Sequence, residues 1–554
     1  MQYKYNYKIW LFLCITGLLA PAGAYSKTTD SDYTSPYYSD GTFFFAPSSS
    51  WLVGAAMHNN AKELLDAIRS SEKHGLNPSS YGLHSLAYAI DEYAIKREKL
   101  GIYDTEALQS QRKSLEHKLD TAFVRLARDL GRGVLVGKIV QEDLHRAAPK
   151  VDVKELISSL RTGKATVKQL LDDVTQQRPE YVALTTHMQT LLTERDSGAQ
   201  RIKVQYVESA KFGDEHQAFR TLKHRLKQTG DLDQNKRINV VFDDDLKQAL
   251  ISVQERHGLK PNGLITEGVI VALNRSIDDD INEVAINLER WRWMPRDLGD
   301  RHIMVNIPAY ELNLVNNNQT IAQMPVVVGS VENPTPIFSE NASIVEVAPT
   351  WTVPASIANS ELIPRERKNP GYLEREKMDF YKWDKGKLVK VDRSTVTRKE
   401  INTTPFPYVI RQRAGEHNAL GMLKVLMPNK HAIYLHDTQS KNLFSKTDRA
   451  YSHGCIRLSD PFRLANLLLQ LDGYSPTQTD KILASTDTHR VNLKNKTPTH
   501  LTYFTAWVDD KGRFHKRKDV YQHNERVRVA LEFKNTLIAN LDQRQQLLLS
   551  EFFY

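Results

Sequence analysis

The sequence predicts a multidomain α+β protein. It has a mostly helical N-terminal scaffold, a small helical unit, and a β-rich C-terminal domain with an inserted lid. Three observations lead there. A length of 554 residues exceeds what one hydrophobic core organises and points to about three domains, at the usual ~100–200 residues each. Apolar residues recur at helical spacing from Trp51 to about residue 274, then at strand spacing from His302 onward. A charged stretch from Pro364 to Pro405 interrupts the strand pattern, and an insertion of that length is usually a lid or a disordered loop.

The segments are expected at 1–24, 25–50, 51–235, 236–280, 290–535 with the lid at 364–405, and 536–554. The first reads as an export signal. Lys4 and Lys8 precede a short apolar run over residues 9–19, and Ala22-Gly23-Ala24 is a small-x-small cleavage site, so Tyr25 starts the mature chain. The run is shorter than the roughly 20 residues a membrane span needs, so no stable span is expected after cleavage. A polar, Tyr/Ser-rich arm follows to Ser50. The net charge of +9 suits a solvated basic surface or contact with an acidic polymer such as cell wall. Runs of Lys/Arg with interleaved aromatics, which nucleic acid would call for, do not occur.

Helices come first. Ala61, Leu64, Leu65 and Ile68 form one stripe, and Leu83, Leu86, Ala87 and Ile90 the next. Further stripes cover residues 108–130, 153–160 and 164–174, with Gly131-Arg132-Gly133 as a break. Leu246, Ala249, Leu250 and Val253 make a helix that ends at Gly258, and Thr266 caps a second helix through Leu273. From His302, Ile303, Val305 and Ile307 alternate, and Asn316-Asn317-Asn318 reads as a hairpin turn. In the insertion, a helix is expected over 372–380 and a strand over 387–391. The clustered aromatics Tyr372, Phe380, Tyr381 and Trp383 argue that it is folded. Residues 408–410 and 433–436 resume as strands. Asp460-Pro461 opens a helix ended by Gly473, Asp509 to Gly512 turns a hairpin, and residues 527–548 read as helix.

The chemistry concentrates in Ser452-His453-Gly454-Cys455-Ile456-Arg457-Leu458. Of the chain's two cysteines, Cys14 lies in the export signal, leaving Cys455 alone. Exported structural cysteines usually pair, so a lone one is a buried passenger or a working thiol. Its neighbours favour work. A histidine can take the thiol proton, the Gly454 and Cys455 N–H groups can stabilise an oxyanion, and Arg457 can hold a carboxylate or pair with Asp460. Two histidines compete for the base. On an extended strand His453 shares a face with Cys455, whereas His436 would reach across from a neighbouring strand.

Tyr434-x-His436-Asp437-Thr438 followed by that cysteine stretch resembles the L,D-transpeptidases, cysteine enzymes that cross-link bacterial peptidoglycan. Trp351-Thr352-Val353-Pro354 and Asn418-Ala419-Leu420-Gly421 add to the match. The string from Leu250 through Val253, Gln254, His257, Gly258, Pro261, Gly263 and Ile265 resembles a small peptidoglycan-binding domain. Together they resemble the large periplasmic Gram-negative subgroup. The resemblance implies Cys455 as nucleophile and His436 as base, oriented through the Asp437 carbonyl. It implies His453 and Gly454 in support, and Arg457, Tyr434, Trp351 and Asn418 on substrate. It implies no metal and no cofactor. It further implies stem peptides of peptidoglycan as donor and acceptor, other wall synthases as partners, a periplasmic location, and roles in wall biogenesis and cell shape. Tyr434 and Trp351 read equally as core aromatics. An L,D-carboxypeptidase, a stem-to-protein transferase and an idle wall-binding scaffold are the rival readings. A papain-like protease fits less well, because its nucleophile opens a long helix and Cys455 precedes one.

Overall fold

The structure, a computed structural model, describes residues 51–53, 56–57, 59–100, 105–135 and 137–540. The expected export signal at 1–24, the expected arm at 25–50 and residues 541–554 lie outside the described residues. No helix among the described residues is long and apolar enough to cross a membrane.

A short hairpin, β1 (Leu52–Val53) and β2 (Ala56–Met57), leads into a helical region whose six described helices of eight residues or more follow. These are α1 (Asn59–Arg69), α2 (Leu83–Leu100), α3 (Glu106–Arg132), α4 (Val153–Arg161), α5 (Val167–Val174) and α6 (Pro179–Asp196). Their limits follow local chemistry. Thr105 caps α3 through Leu108 N–H, Gly133 closes it at φ +95°, and Thr166 with Gln169 forms a capping box on α5. Leu108, Leu115, Leu119, Phe123 and Leu126 form the buried stripe of α3.

Next come α7 (Gln217–Gln228), α8 (Asp244–Arg256) and α9 (Glu267–Leu273). Phe219, Leu222 and Leu226 of α7 share one core with Leu246, Leu250, Val253, Val269 and Leu273, and that core reaches back to Val204. The small unit therefore starts well upstream of the expected residue 236. Five basic residues of the α7 sequence, Arg220, Lys223, His224, Arg225 and Lys227, dilute its three-residue apolar stripe.

Helix α10 (Ile277–Arg292) ties this region to the β domain. Its Val284, Leu288 and Trp291 pack with Tyr181, Leu184 and Met188 of α6 and with Phe504. At its C-terminal end the fully buried Glu289 accepts from Arg292 at 2.6 Å and from the N–H groups of Val134 and Leu135 at 3.1 and 2.8 Å.

The β domain starts with β3 (Arg301–Asn306), β4 (Glu311–Asn316), β5 (Gln319–Gly329) and β6 (Ser339–Val347). Asn317 and Asn318, at φ +50° and +61°, make the expected two-residue hairpin between β4 and β5. After the insertion come β11 (Leu423–Leu426), β12 (Tyr434–His436), β13 (Ala450–Ser452), β14 (Ile456–Leu458) and the long β15 (His489–Thr502). The pairing order β5-β14-β12-β11-β6-β15-β3-β4 returns to β5, so the sheet closes on itself, with β13 alongside β5. Closure leaves no open edge around the ring.

The insertion is folded and larger than 364–405. A separate sheet runs β7 (Trp351–Thr352), β10 (Val409–Gln412), β8 (Met378–Asp384), β9 (Lys387–Val391), so both flanks belong to it. Helices α11 (Ile363–Lys368), α12 (Tyr372–Arg375) and α13 (Arg398–Ile401) accompany this sheet, and Leu362, Ile363, Leu373, Phe380, Phe406 and Ile410 form its core. The helix expected over 372–380 stops at Arg375. Met378 and Phe380 then alternate into that core as strand.

Helix α14 (Pro461–Leu471) carries the expected Asp460 cap, and α15 (Pro476–Leu483) follows. Strands β16 (Ala506–Val508) and β17 (Phe514–Lys516) form the terminal hairpin. Helix α16 (His523–Asn540) runs through residue 535 without a break, so no separate element begins at 536.

Candidate active site

Three neighbouring strands build the site. Strand β12 pairs in parallel with β14, placing Leu435 beside Ile456 and His436 beside Arg457. Strand β11 flanks β12 on the other side, with Lys424 opposite His436. Cys455 sits in the bend between β13 and β14, where Gly454 adopts φ +106°, a conformation that favours glycine.

Side chains from distant parts of the chain fix that bend. The buried Ser452 hydroxyl donates to the Cys455 carbonyl at 2.5 Å and accepts from Gly454 N–H at 3.1 Å. Thr335 donates through Oγ1 to the Gly454 carbonyl at 2.7 Å, and Tyr521 donates to the Gly329 carbonyl at 2.7 Å from just behind. Gly454 N–H is therefore engaged. Of the two expected oxyanion donors it is the one already spoken for.

His453 departs from expectation for the same reason. The segment is bent and not extended, so His453 does not share a face with Cys455. Its Nε2 lies 2.5 Å from Oε1 of Glu361, in the insertion, and ties the cysteine loop to that subdomain.

His436 is buried. Its Nδ1 donates to the Asp437 carbonyl at 2.5 Å, which leaves Nε2 as the free nitrogen. Burial, helped by the Arg457 charge, pulls the imidazole down to about 3. The Asp437 carboxylate is itself held, accepting from Thr438 N–H at 2.7 Å, Met422 N–H at 2.9 Å and Lys441 Nζ at 2.5 Å.

The half-buried Cys455 Sγ lies 3.7 Å from the Ala432 carbonyl and takes hydrogen bonds from the Tyr434 backbone and hydroxyl. Burial pushes the thiol up to about 11, against those bonds and the charges of Arg457 and Lys424. Among the described residues no hydrogen bond joins Sγ to His436. Such contacts often tighten only when substrate binds.

Tyr434 packs edge-on to His436, with ring centroids 5.6 Å apart, and hydrogen-bonds Trp351. Both aromatics are half-buried and border the thiol through Tyr434. Arg457 does not pair with Asp460, whose carboxylate instead caps α14 through Arg463 N–H at 3.1 Å. The Arg457 Nε is buried without a hydrogen-bond partner among the described residues.

Asn418 does not face the groove. It is fully buried, its amide donates to the Pro349 and Arg413 carbonyls at 3.0 and 2.8 Å, and its oxygen accepts from Leu420 N–H at 2.8 Å. It organises the turn that leads to Gly421.

Sequence reasoning missed Ser452, Thr335, Glu361, Lys424 and Glu346. Ser452 lies inside the motif, and its hydroxyl next to a glycine was a usable signal. The others meet the site across more than ninety residues of Glu361–His453 separation or across sheet register, and no local pattern marks them.

Comparison with known proteins agrees with this geometry. Residues 300–480 match the family model described as "L,D-transpeptidase catalytic domain", residues 46–188 match "Scaffold domain", and residues 215–273 match "Putative peptidoglycan binding domain". A Haemophilus influenzae protein titled "Putative L,D-transpeptidase" is 33% identical over 250 residues, which is 45% of this chain and 49% of that relative. The chain thus spans about half the length of the curated relative it matches. Among solved structures, an L,D-transpeptidase from Mycobacterium smegmatis is 14% identical, with 37% of this chain and 58% of that one covered and a TM-score of 0.18. An L,D-transpeptidase from Xylanimonas cellulosilytica is 11% identical, with 54% and 97% covered and a TM-score of 0.17. The match at residues 300–480, which takes in Cys455, His436 and most of the closed sheet, shows an L,D-transpeptidase catalytic domain in this chain, with a peptidoglycan-binding-like domain ahead of it at 215–273.

Proposed function

We propose that the protein cross-links peptidoglycan through a Cys455 thioester. The Cys455 sulfur attacks the carbonyl of meso-diaminopimelate in a tetrapeptide stem, and its proton passes to His436 Nε2. The S–C bond forms, the C–N bond to the terminal D-Ala breaks, and the leaving amine takes the proton. An amine of a second stem then attacks the thioester, giving a 3→3 cross-link and restoring the thiol. The observation that carries this reading is the lone thiol on a fixed bend. On the flanking strands stand an imidazole whose Nδ1 is already committed to the Asp437 carbonyl and an arginine whose buried Nε has no hydrogen-bond partner among the described residues.

Cys455 N–H, next to the engaged Gly454 N–H, is the oxyanion donor in this reading, and Arg457 receives a stem carboxylate. Tyr434 and Trp351 line the donor groove. The insertion caps the thioester against water, joined to the cysteine loop by Glu361 and His453. Residues 1–24 direct export, and the protein works in the periplasm against the wall. The small helical unit docks on the polymer, and wall synthases are its partners in wall biogenesis and cell shape.

The test is incubation of the full chain with purified disaccharide-tetrapeptide, followed by mass spectrometry. The expected product is dimer minus D-Ala, absent in Cys455→Ala. Tripeptide alone would make the protein an L,D-carboxypeptidase, and an unchanged substrate would favour an idle scaffold.

A further inference from the structure

One row of ionisable side chains crosses the sheet beneath the thiol. Direct cross-strand partners run Arg490–Glu346 between β15 and β6, Glu346–Lys424 between β6 and β11, Lys424–His436 between β11 and β12, and His436–Arg457 between β12 and β14. Directly opposed residues point to the same face of a sheet, so these five side chains lie side by side. The alternate positions, Val345, Val425, Leu435 and Ile456, are fully buried and apolar.

Such a row is costly unless it does something. Glu346 is fully buried and Lys424 nearly so. Glu346 Oε2 sits 3.3 Å from Lys424 Nζ and 2.9 Å from Arg490 Nε, while its Oε1 has no hydrogen-bond partner among the described residues. Lys424 Nζ lies 5.4 Å from the centre of the Tyr434 ring, the residue whose backbone and hydroxyl bond the Cys455 sulfur. His436 stands between Lys424 and Arg457 in the row.

We propose that Lys424 is a positioning residue whose fixed positive charge, metered by Glu346, acts on both Cys455 and His436. An ammonium there favours the thiolate and disfavours the imidazolium. Glu346 opposes both effects, and Arg490 at the exposed end of the row partly neutralises Glu346. The other ionisable groups acting on the sulfur are Tyr434 from β12 and Arg457 from β14, while His436 lies between Lys424 and Arg457 in the row and the Glu361–His453 pair ties the cysteine loop to the insertion. The inference rests on Cys455 as the nucleophile.

The test measures alkylation of Cys455 by iodoacetamide in the full chain, from pH 8 to 10, as an order-of-magnitude shift from roughly one unit of thiol pKa. Lys424→Met should slow it about threefold. Thiolate falls about tenfold per unit, and its higher basicity returns about threefold in nucleophilicity. Glu346→Gln should speed it by a similar factor, and Lys424→Arg should stay near the parent rate. The opposite signs are diagnostic. A merely structural lesion would loosen the site, drop the thiol toward its ordinary pKa, and speed alkylation in both variants. Faster alkylation in Lys424→Met, or parent rates in both Lys424→Met and Glu346→Gln, would overturn the proposal. If Lys424→Met does not fold, Lys424→Gln takes its place with the same expected slowing, so the opposite sign to Glu346→Gln still decides it. Alkylation reads the sulfur without substrate, so rates that move as stated while no dimer forms would overturn only the transpeptidase reading.

Discussion

Gly421→Ala should damage catalysis at a distance, through Asp437. Gly421 has φ +61°, and a Cβ there would stand 2.3 Å from Asp437 Oδ2 and 2.5 Å from Asp437 Cβ. The carboxylate has nowhere to retreat, since Thr438, Met422 and Lys441 all hold it within 2.9 Å. A left-handed conformation costs a non-glycine residue about 1–2 kcal/mol. Losing the bond from Met422 N–H to the carboxylate adds about 1.5–3 kcal/mol. The expected destabilisation is about 2.5–5 kcal/mol in total, large against a typical stability of about 5–15 kcal/mol. The displaced backbone is also the acceptor for His436 Nδ1. A general base contributes about 10²–10⁴ in rate, so a misaimed imidazole should slow acylation by about 10²-fold. Guanidinium unfolding gives the first number. Pre-steady-state acylation by a carbapenem, followed by intact mass, gives the second. A variant that loses the stability yet acylates at the parent rate would show that the Asp437 carbonyl does not aim the base.

Glu361→Gln removes the carboxylate that holds His453 and should loosen the insertion from the cysteine loop. Tripeptide should then rise relative to dimer, read by mass spectrometry, while acylation by a small β-lactam stays close to the parent rate. Acid should destabilise the fold earlier than its carboxylates alone would. Burial pulls His436 to about 3 and His500 to about 4, far below the unfolded value near 6.5. The unfolded chain binds those protons first, so the stability they contribute is complete above pH 6.5 and falls as pH drops toward 4. Each adds a slope of up to about 1.4 kcal/mol per pH unit. Urea midpoints at pH 7.5, 6 and 5 would refute this by staying level.

The legible parts of the fold were those with one period and one end signal. Helices α3 and α14 show their stripe, cap and closing glycine in consecutive residues, and the β4–β5 turn shows its two asparagines. Helix α7 was not legible. Its three apolar residues are spaced correctly but diluted by charge, and they become a core only when Phe242 and Leu250 arrive from later in the chain. In the site, that His436 and Cys455 come from neighbouring strands was readable, because two short motifs carry them and β12 pairs with β14. The position of His453 was not, because a two-residue spacing implies a shared face only on an extended strand, and Gly454 breaks the strand between them. Asn418 was misjudged for a related reason. An exposed amide and a buried, fully bonded one have the same sequence, and only the Pro349 and Arg413 carbonyls tell them apart.

A thiol held near 11 beside an imidazole held near 3 does not rest as an ion pair. Cys455 and His436 are both neutral at working pH, and under the proposed roles the proton moves only as sulfur attacks. The charge row explains why that helps both halves of the exchange. Lys424 and Arg457 flank His436 and disfavour its protonated form, so a proton it has taken is a strong acid's proton and passes readily to the departing D-Ala amine. The same two cations face the sulfur and offset the negative charge that forms there during attack. A permanently ionised pair would sacrifice the first advantage. An uncharged sheet face would sacrifice the second. The burial of Lys424 and Glu346 across two central strands is therefore understandable as the condition under which one imidazole serves as a weak resting base and then as a strong acid.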